Sequence, residues 1–185
     1  GLYRAEITLF CNGEPVDSIE QEFGIRSYRI DADNGFFLNG KPYPLHGVNY
    51  HQDSYESGWA MTGAQRERDY RIIRDMGCTA VRMAHYQHCD HEYSLCDRLG
   101  LCVWTEIGII NKMSADDSDA HVLSDGFGDN AKQQLRELIR QNYNHPSVIV
   151  WGLFNELYQM TNEIFGLYSE LYEIACEEDD TRLKT

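Results

Sequence analysis

The sequence contains no long apolar run. No window approaches the roughly 20 residues that a membrane-crossing helix requires, so a helical span is excluded. Basic residues are scarce, with 16 Lys and Arg against 30 Asp and Glu and a formal net charge of -14. Nucleic acids and anionic lipid surfaces both attract cationic patches, so the balance argues against either as a partner. The six cysteines (Cys11, Cys78, Cys89, Cys96, Cys102, Cys176) form no CxxC pair, and most fall inside apolar helix or strand patterns. Buried free thiols are therefore expected rather than a disulfide framework. The first residues lack the basic and apolar regions of a signal peptide. Because the chain opens mid-pattern, an upstream leader could have been cut away, and the compartment, bacterial periplasm or cytoplasm, stays unassigned.

Residues 144–156, Asn-His-Pro-Ser-Val-Ile-Val-Trp-Gly-Leu-Phe-Asn-Glu, organise what is present. The apolar run over 148–154 predicts a strand buried on both faces, with the polar pair Asn155 and Glu156 at its carboxyl end. The carboxyl ends of barrel strands are where α/β barrels keep their chemistry. A carboxylic acid at the rim of an apolar strand is expected to have its charged form disfavoured by desolvation, which suits a proton donor. Glu156 is thus the candidate general acid, although by itself an Asn-Glu pair after a strand also suits a loop or a helix cap.

The rest of the chain follows a repeating pattern. Residues 3–10 alternate with period two, Asn12-Gly13 supplies a turn, and a weaker alternation over 16–23 completes a hairpin. A second tight hairpin spans 35–42 around Asn39-Gly40. Strands are expected over 44–49, 79–83, 101–106 and 148–154, and helices over 62–76, 90–99, 129–143 and 162–178. Thr62 is the expected N-cap of the first helix, and Gly77 and Gly100 are helix stops. Strand alternating with helix predicts right-handed βαβ units on a parallel sheet. Four such units make half of a (β/α)₈ barrel, since a whole one needs about 250 residues. The acidic loop over 107–127 is a candidate wall or lid.

The 144–156 string resembles the acid/base block of glycoside hydrolase family 2, the family of bacterial β-galactosidases and β-glucuronidases. Phe23-Gly24-Ile25-Arg26 resembles the end of that family's immunoglobulin-like sandwich, and residues 35–42 the hairpin that plugs the barrel bottom. The resemblance implies an α/β fold: the N-terminal half of a TIM barrel at 28–185, preceded at 1–27 by the tail of an immunoglobulin-like β-sandwich. It also implies a retaining hydrolase of terminal β-glycosides, with galactoside expected on family frequency. Glu156 would be the acid/base and Asn155 the partner of the sugar 2-hydroxyl. His51, in the loop after the first barrel strand, and His85, in Ala84-His85-Tyr86, match sugar-contacting positions. Arg82 at the end of the second strand matches the arginine that orients the nucleophile and keeps it ionised. Glu106, in Val103-Trp104-Thr105-Glu106-Ile107, matches a supporting glutamate; its alternative reading as the second catalytic carboxylate ranks lower, because the family's nucleophile comes later in the chain. Ile110 and Lys112 replace two magnesium ligands of the large β-galactosidases, and no cofactor or metal is expected.

The closing residues 179–185 resemble the lead-in to a fifth strand. The chain is therefore expected to stop before that strand, to lack the nucleophile, to be inactive alone and to self-associate through open sheet edges. Two other classes stay open: a non-catalytic carbohydrate-binding barrel, and a zinc domain built on His85, His88 and His91.

Overall fold

A computed structural model describes residues 1–109, 126–156 and 161–185. The loop expected over 107–127, with Ile110 and Lys112, lies largely outside the described residues.

Strands β1 (Leu2–Cys11) and β2 (Glu14–Gly24) pair antiparallel in a two-stranded ribbon. Ile7, Leu9, Phe10, Val16 and Ile19 are exposed along it. The ribbon meets the rest of the molecule at its base. There Gly24 lies so close to Pro146 that a Cβ would fall 2.5 Å from Pro146 Cγ, and Arg26 donates to the carbonyls of Pro146 and Val148. Next comes a three-stranded antiparallel sheet of β3 (Tyr28–Asp31), β4 (Gly35–Leu38) and β5 (Lys41–Pro42). The β4–β5 turn is the expected one, with Asn39 and Gly40 at φ 51 and 76. Strand β3 was not expected; four residues opposite β4 give too short an alternation to read.

The third sheet is parallel and five-stranded, in the order β6 (Gly47–Tyr50), β7 (Ala80–Met83), β8 (Cys102–Glu106), β9 (Val148–Gly152), β10 (Leu183–Lys184). Between its strands run α1 (Gly63–Asp75), α2 (Asp90–Leu99), α3 (Phe127–Asn142) and α4 (Asn162–Glu178). Thr62 caps α1 with a reciprocal Gln65 bond, and α2 ends at Gly100 as expected. Three expectations need correction. The first barrel strand begins at Gly47 rather than 44, since Pro44 has no N–H to donate. The fourth ends at Gly152 rather than Phe154. The chain does enter a fifth strand: β9 presents a free edge, and Leu183 and Lys184 pair with Val150 and Trp151.

Register sorts the side chains. Tyr50, Met83, Thr105 and Trp151 share a row facing the helices, where the Tyr93 and Thr105 hydroxyls lie 2.6 Å apart and Tyr50 packs on Tyr70. The main core lies between this face and the helices, with Leu135, Leu138, Ile164 and Leu171 fully buried. A smaller cluster of Phe36, Cys102 and Ile149, joined by Tyr28, Leu38 and Tyr43, packs the β3–β5 sheet against the strands' amino ends. Of the cysteines, Cys78, Cys96 and Cys102 are buried, Cys89 and Cys176 half-buried and Cys11 exposed, and all six are free.

Candidate active site

Parallel strands bring all their carboxyl ends to one edge, so residues far apart in sequence meet there. The next row inward is Asn49, Arg82, Trp104 and Val150, on the face away from the helices. Arg82 lies over the Trp104 ring at 5.0 Å. Glu106, at the end of β8, is fully buried and accepts from Arg82 Nε at 2.6 Å and from His85 Nδ1 at 2.9 Å. A carboxylate buried this deeply needs charged or polar donors around it, and these two supply them.

Arg82 Nη2 reaches Asn155 at 2.8 Å. A guanidinium only donates, so the atom facing it is Oδ1, and the amide nitrogen points elsewhere. That Nδ2 is buried without a hydrogen-bond partner among the described residues, as is Trp104 Nε1. His85 turns Nδ1 to Glu106, which leaves Nε2 for other partners. The His51 ring lies 5.4 Å from that of His85, and its Nδ1 is 3.2 Å from the Tyr86 hydroxyl. Gly152 is required by close approach: a Cβ there would fall 2.6 Å from Glu106 Cγ and 2.7 Å from Trp104 Nε1.

His51, Arg82, His85, Glu106 and Asn155 therefore share one rim, linked by contacts. Glu156 follows Asn155 on that rim with φ 53 and is exposed. The burial expected of it is not supplied by the described residues: Leu153 is buried and Phe154 packs on the core, but Glu156 itself is exposed. The zinc alternative is not assembled. His85 faces Glu106, His88 faces Glu92 and the Ala84 carbonyl, and His91 lies 3.9 Å from Glu67 on α1. Among the described residues no three such ligands gather. Sequence reasoning overlooked Trp104 as a site residue. Its place two strand residues before Glu106, and level with Arg82, was the available signal.

The chain matches the family model described as glycosyl hydrolases family 2, TIM barrel domain, over residues 30–185. It belongs to glycoside hydrolase family 2. Among its family 2 relatives, a β-glucuronidase from Bacteroides fragilis is 44% identical over 184 residues, covering 100% of this chain and 26% of that protein. A β-galactosidase from Photobacterium profundum is 33% identical over 163 residues, covering 84% of this chain and 15% of that protein. The crystal structure of a Bacteroides uniformis β-glucuronidase superposes with a TM-score of 0.86 at 37% identity, covering 99% of this chain and 23% of that one. The chain thus spans about a quarter or less of the length of these relatives.

Proposed function

We propose that this chain carries the acid/base half of the catalytic centre of a retaining β-glycoside hydrolase. The observation behind the reading is the donor on Asn155 Nδ2, buried and without a partner among the described residues, held by Arg82 beside the carboxylate-bearing Glu156. An unsatisfied buried donor costs about 1–3 kcal/mol unless a ligand supplies the acceptor. The 2-hydroxyl of a sugar is such an acceptor, and its bond strengthens as charge develops at the anomeric carbon.

In this reading Glu156 protonates the glycosidic oxygen as the leaving group departs. A second carboxylate, about 5–5.5 Å away, attacks the anomeric carbon. Glu156 then takes a proton from the water that hydrolyses the glycosyl-enzyme. Arg82 and Glu106 hold Asn155 and His85 in place, while His85 Nε2 and His51 meet sugar hydroxyls. The nucleophile is proposed to come from sequence outside this chain, so the 185-residue piece alone would be inactive and would pair through its β6 and β10 edges. The exposed apolar residues of the β1–β2 ribbon fit a place at the end of an immunoglobulin-like sandwich, with the boundary near residue 27.

The galactoside expectation is broadened to a galactoside or a glucuronide, since relatives carry both names. Paired assays with aryl β-galactoside and aryl β-glucuronide separate the two. The role of Glu156 is tested in the intact enzyme with Glu156→Ala. Turnover of substrates with poor leaving groups is expected to fall about 10²–10⁴-fold. Glycosylation by aryl substrates with good leaving groups should survive, with azide restoring turnover. Loss of both steps without azide rescue would remove Glu156 from this role.

A further inference from the structure

His88 stands three residues beyond His85 and lies sealed beneath the rim. Its Nε2 is 3.1 Å from the Ala84 carbonyl oxygen and its Nδ1 is 2.7 Å from Glu92 Oε2. A carbonyl only accepts, so Nε2 carries a hydrogen, while Nδ1 is hydrogen-bonded to the Glu92 carboxyl. Glu92 is fully buried and also accepts from Arg66 Nη1 at 2.9 Å and from the Tyr70 hydroxyl at 3.4 Å. Arg66 and Tyr70 come from α1 and Glu92 from α2, so two helices converge on the orientation of one ring.

Stability is a poor reason for such a network. Apolar residues of similar volume in place of a buried ionic cluster are often neutral or stabilising. What the ring touches is more telling. The Ala84 carbonyl belongs to the peptide group that carries His85, so the hydrogen bond from Nε2 fixes the backbone from which that side chain projects. Glu106 fixes only the tip of His85, at Nδ1. One face of His88 also stacks on Tyr86, with ring centroids 5.1 Å apart at 24°, and the Tyr86 hydroxyl is the group beside His51 Nδ1. A single buried imidazole therefore underlies both histidines of the rim.

We infer that His88, clamped by Glu92 and Arg66, is a positioning residue that sets His85 through the Ala84 carbonyl and His51 through Tyr86. The inference rests on the glycosidase reading above. A displacement on the order of 1 Å at a sugar-contacting group can cost about 10²-fold in rate, which gives such a device its importance.

The test compares kcat/KM on an aryl β-glycoside, per folded molecule of intact enzyme, in two backgrounds: wild type and His51→Ala/His85→Ala. His88→Phe is expected to lower kcat/KM about 10- to 100-fold in the first background and less than about 2-fold in the second, because groups that act through one another are not additive. His88→Gln, whose amide can still donate to the Ala84 carbonyl, should recover most of the loss. Wild-type kcat/KM in folded His88→Phe, or equal losses in the two backgrounds, overturns the inference. If His88→Phe does not fold, Glu92→Gln carries the same comparison, and equal losses in the two backgrounds again overturn it. An inactive wild type, or full activity in Glu156→Gln, sinks the glycosidase reading and this inference with it. Activity abolished by Glu156→Gln but indifferent to His88 sinks this inference alone.

Discussion

Arg82 and Arg182 sit at opposite ends of one sheet and use their guanidinium groups differently. Arg182 donates to the carbonyls of Val148, Tyr143 and His145 and to Asp179 Oδ2, and its guanidinium lies 5.1 Å from the rings of both Tyr143 and Trp151. Asp179 is completed in turn by Trp151 Nε1 and Thr181. Arg82 bonds Glu106 and Asn155, and beside it Asn155 Nδ2 and Trp104 Nε1 are buried donors without an acceptor among the described residues. A network closed on itself holds the amino ends of β9 and β10 together. The network at the carboxyl ends is left open, with two donors to spare among the described residues.

The contrast can be broken from either side. The largest effect is expected from Arg182→Ala, which leaves Asp179 buried without its counter-charge and should cost about 3–5 kcal/mol, read as a lowered urea midpoint. A loss under about 1 kcal/mol would mean that the amino-end network is not structural. Arg82→Lys comes next: a point charge cannot bond Glu106 and Asn155 together as the planar fork does. Its kcat/KM in the intact enzyme should fall about 10²–10³-fold, the scale for losing one oriented donor, with little change in midpoint. Gly152→Ala drives a methyl into Glu106 and Trp104 and should destabilise by about 1–3 kcal/mol, with activity falling too.

The smallest effects are in pH. Burial would raise Asp179, but hydrogen bonds from Thr181, Arg182 and Trp151 outweigh it and hold the carboxyl at about 2. A depressed carboxylate stabilises above its unfolded value, so this contribution is present above about pH 4 and is lost as pH falls toward 2. Burial would lower His145, but Asp97 and Asp90 outweigh it and leave the imidazole raised above 6.5. Its contribution is full below about pH 6.5 and disappears as pH climbs through the raised value. Unfolding midpoints across pH 5–9 should therefore decline at the upper end, and Asp97→Asn should flatten that decline. An unchanged slope in the variant would detach it from His145.

The repeat of strand and helix was readable because caps and stops stand in the sequence: the bounds of α2 and α4 are those expected. Strand β10 was not readable, since two residues become a strand only when β9 offers an edge. The rim assembly was foreseeable from a single rule, that parallel strands gather their carboxyl ends, and His51, Arg82, His85, Glu106 and Asn155 all obey it. The rule says nothing about what each histidine faces. His85, His88 and His91 form one tract in sequence yet have different partners, because α1 supplies Arg66 and Tyr70 to one surrounding and Glu67 to another. Helix periodicity does not encode which neighbouring helix packs on a given turn.

Tyr28 has a consequence for the order of assembly. Its hydroxyl lies within hydrogen-bonding reach of the Thr181 and Ile149 carbonyls and accepts from Leu183 N, joining residues up to 155 positions apart. During synthesis β3 leaves the ribosome well before α4 and β10, and must wait for them before this contact can close. Closing so long a loop is entropically unfavourable until other strands have shortened it. Leu183 therefore seats late, and the phenol at the base of the sheet marks when the nascent half-barrel has been completed.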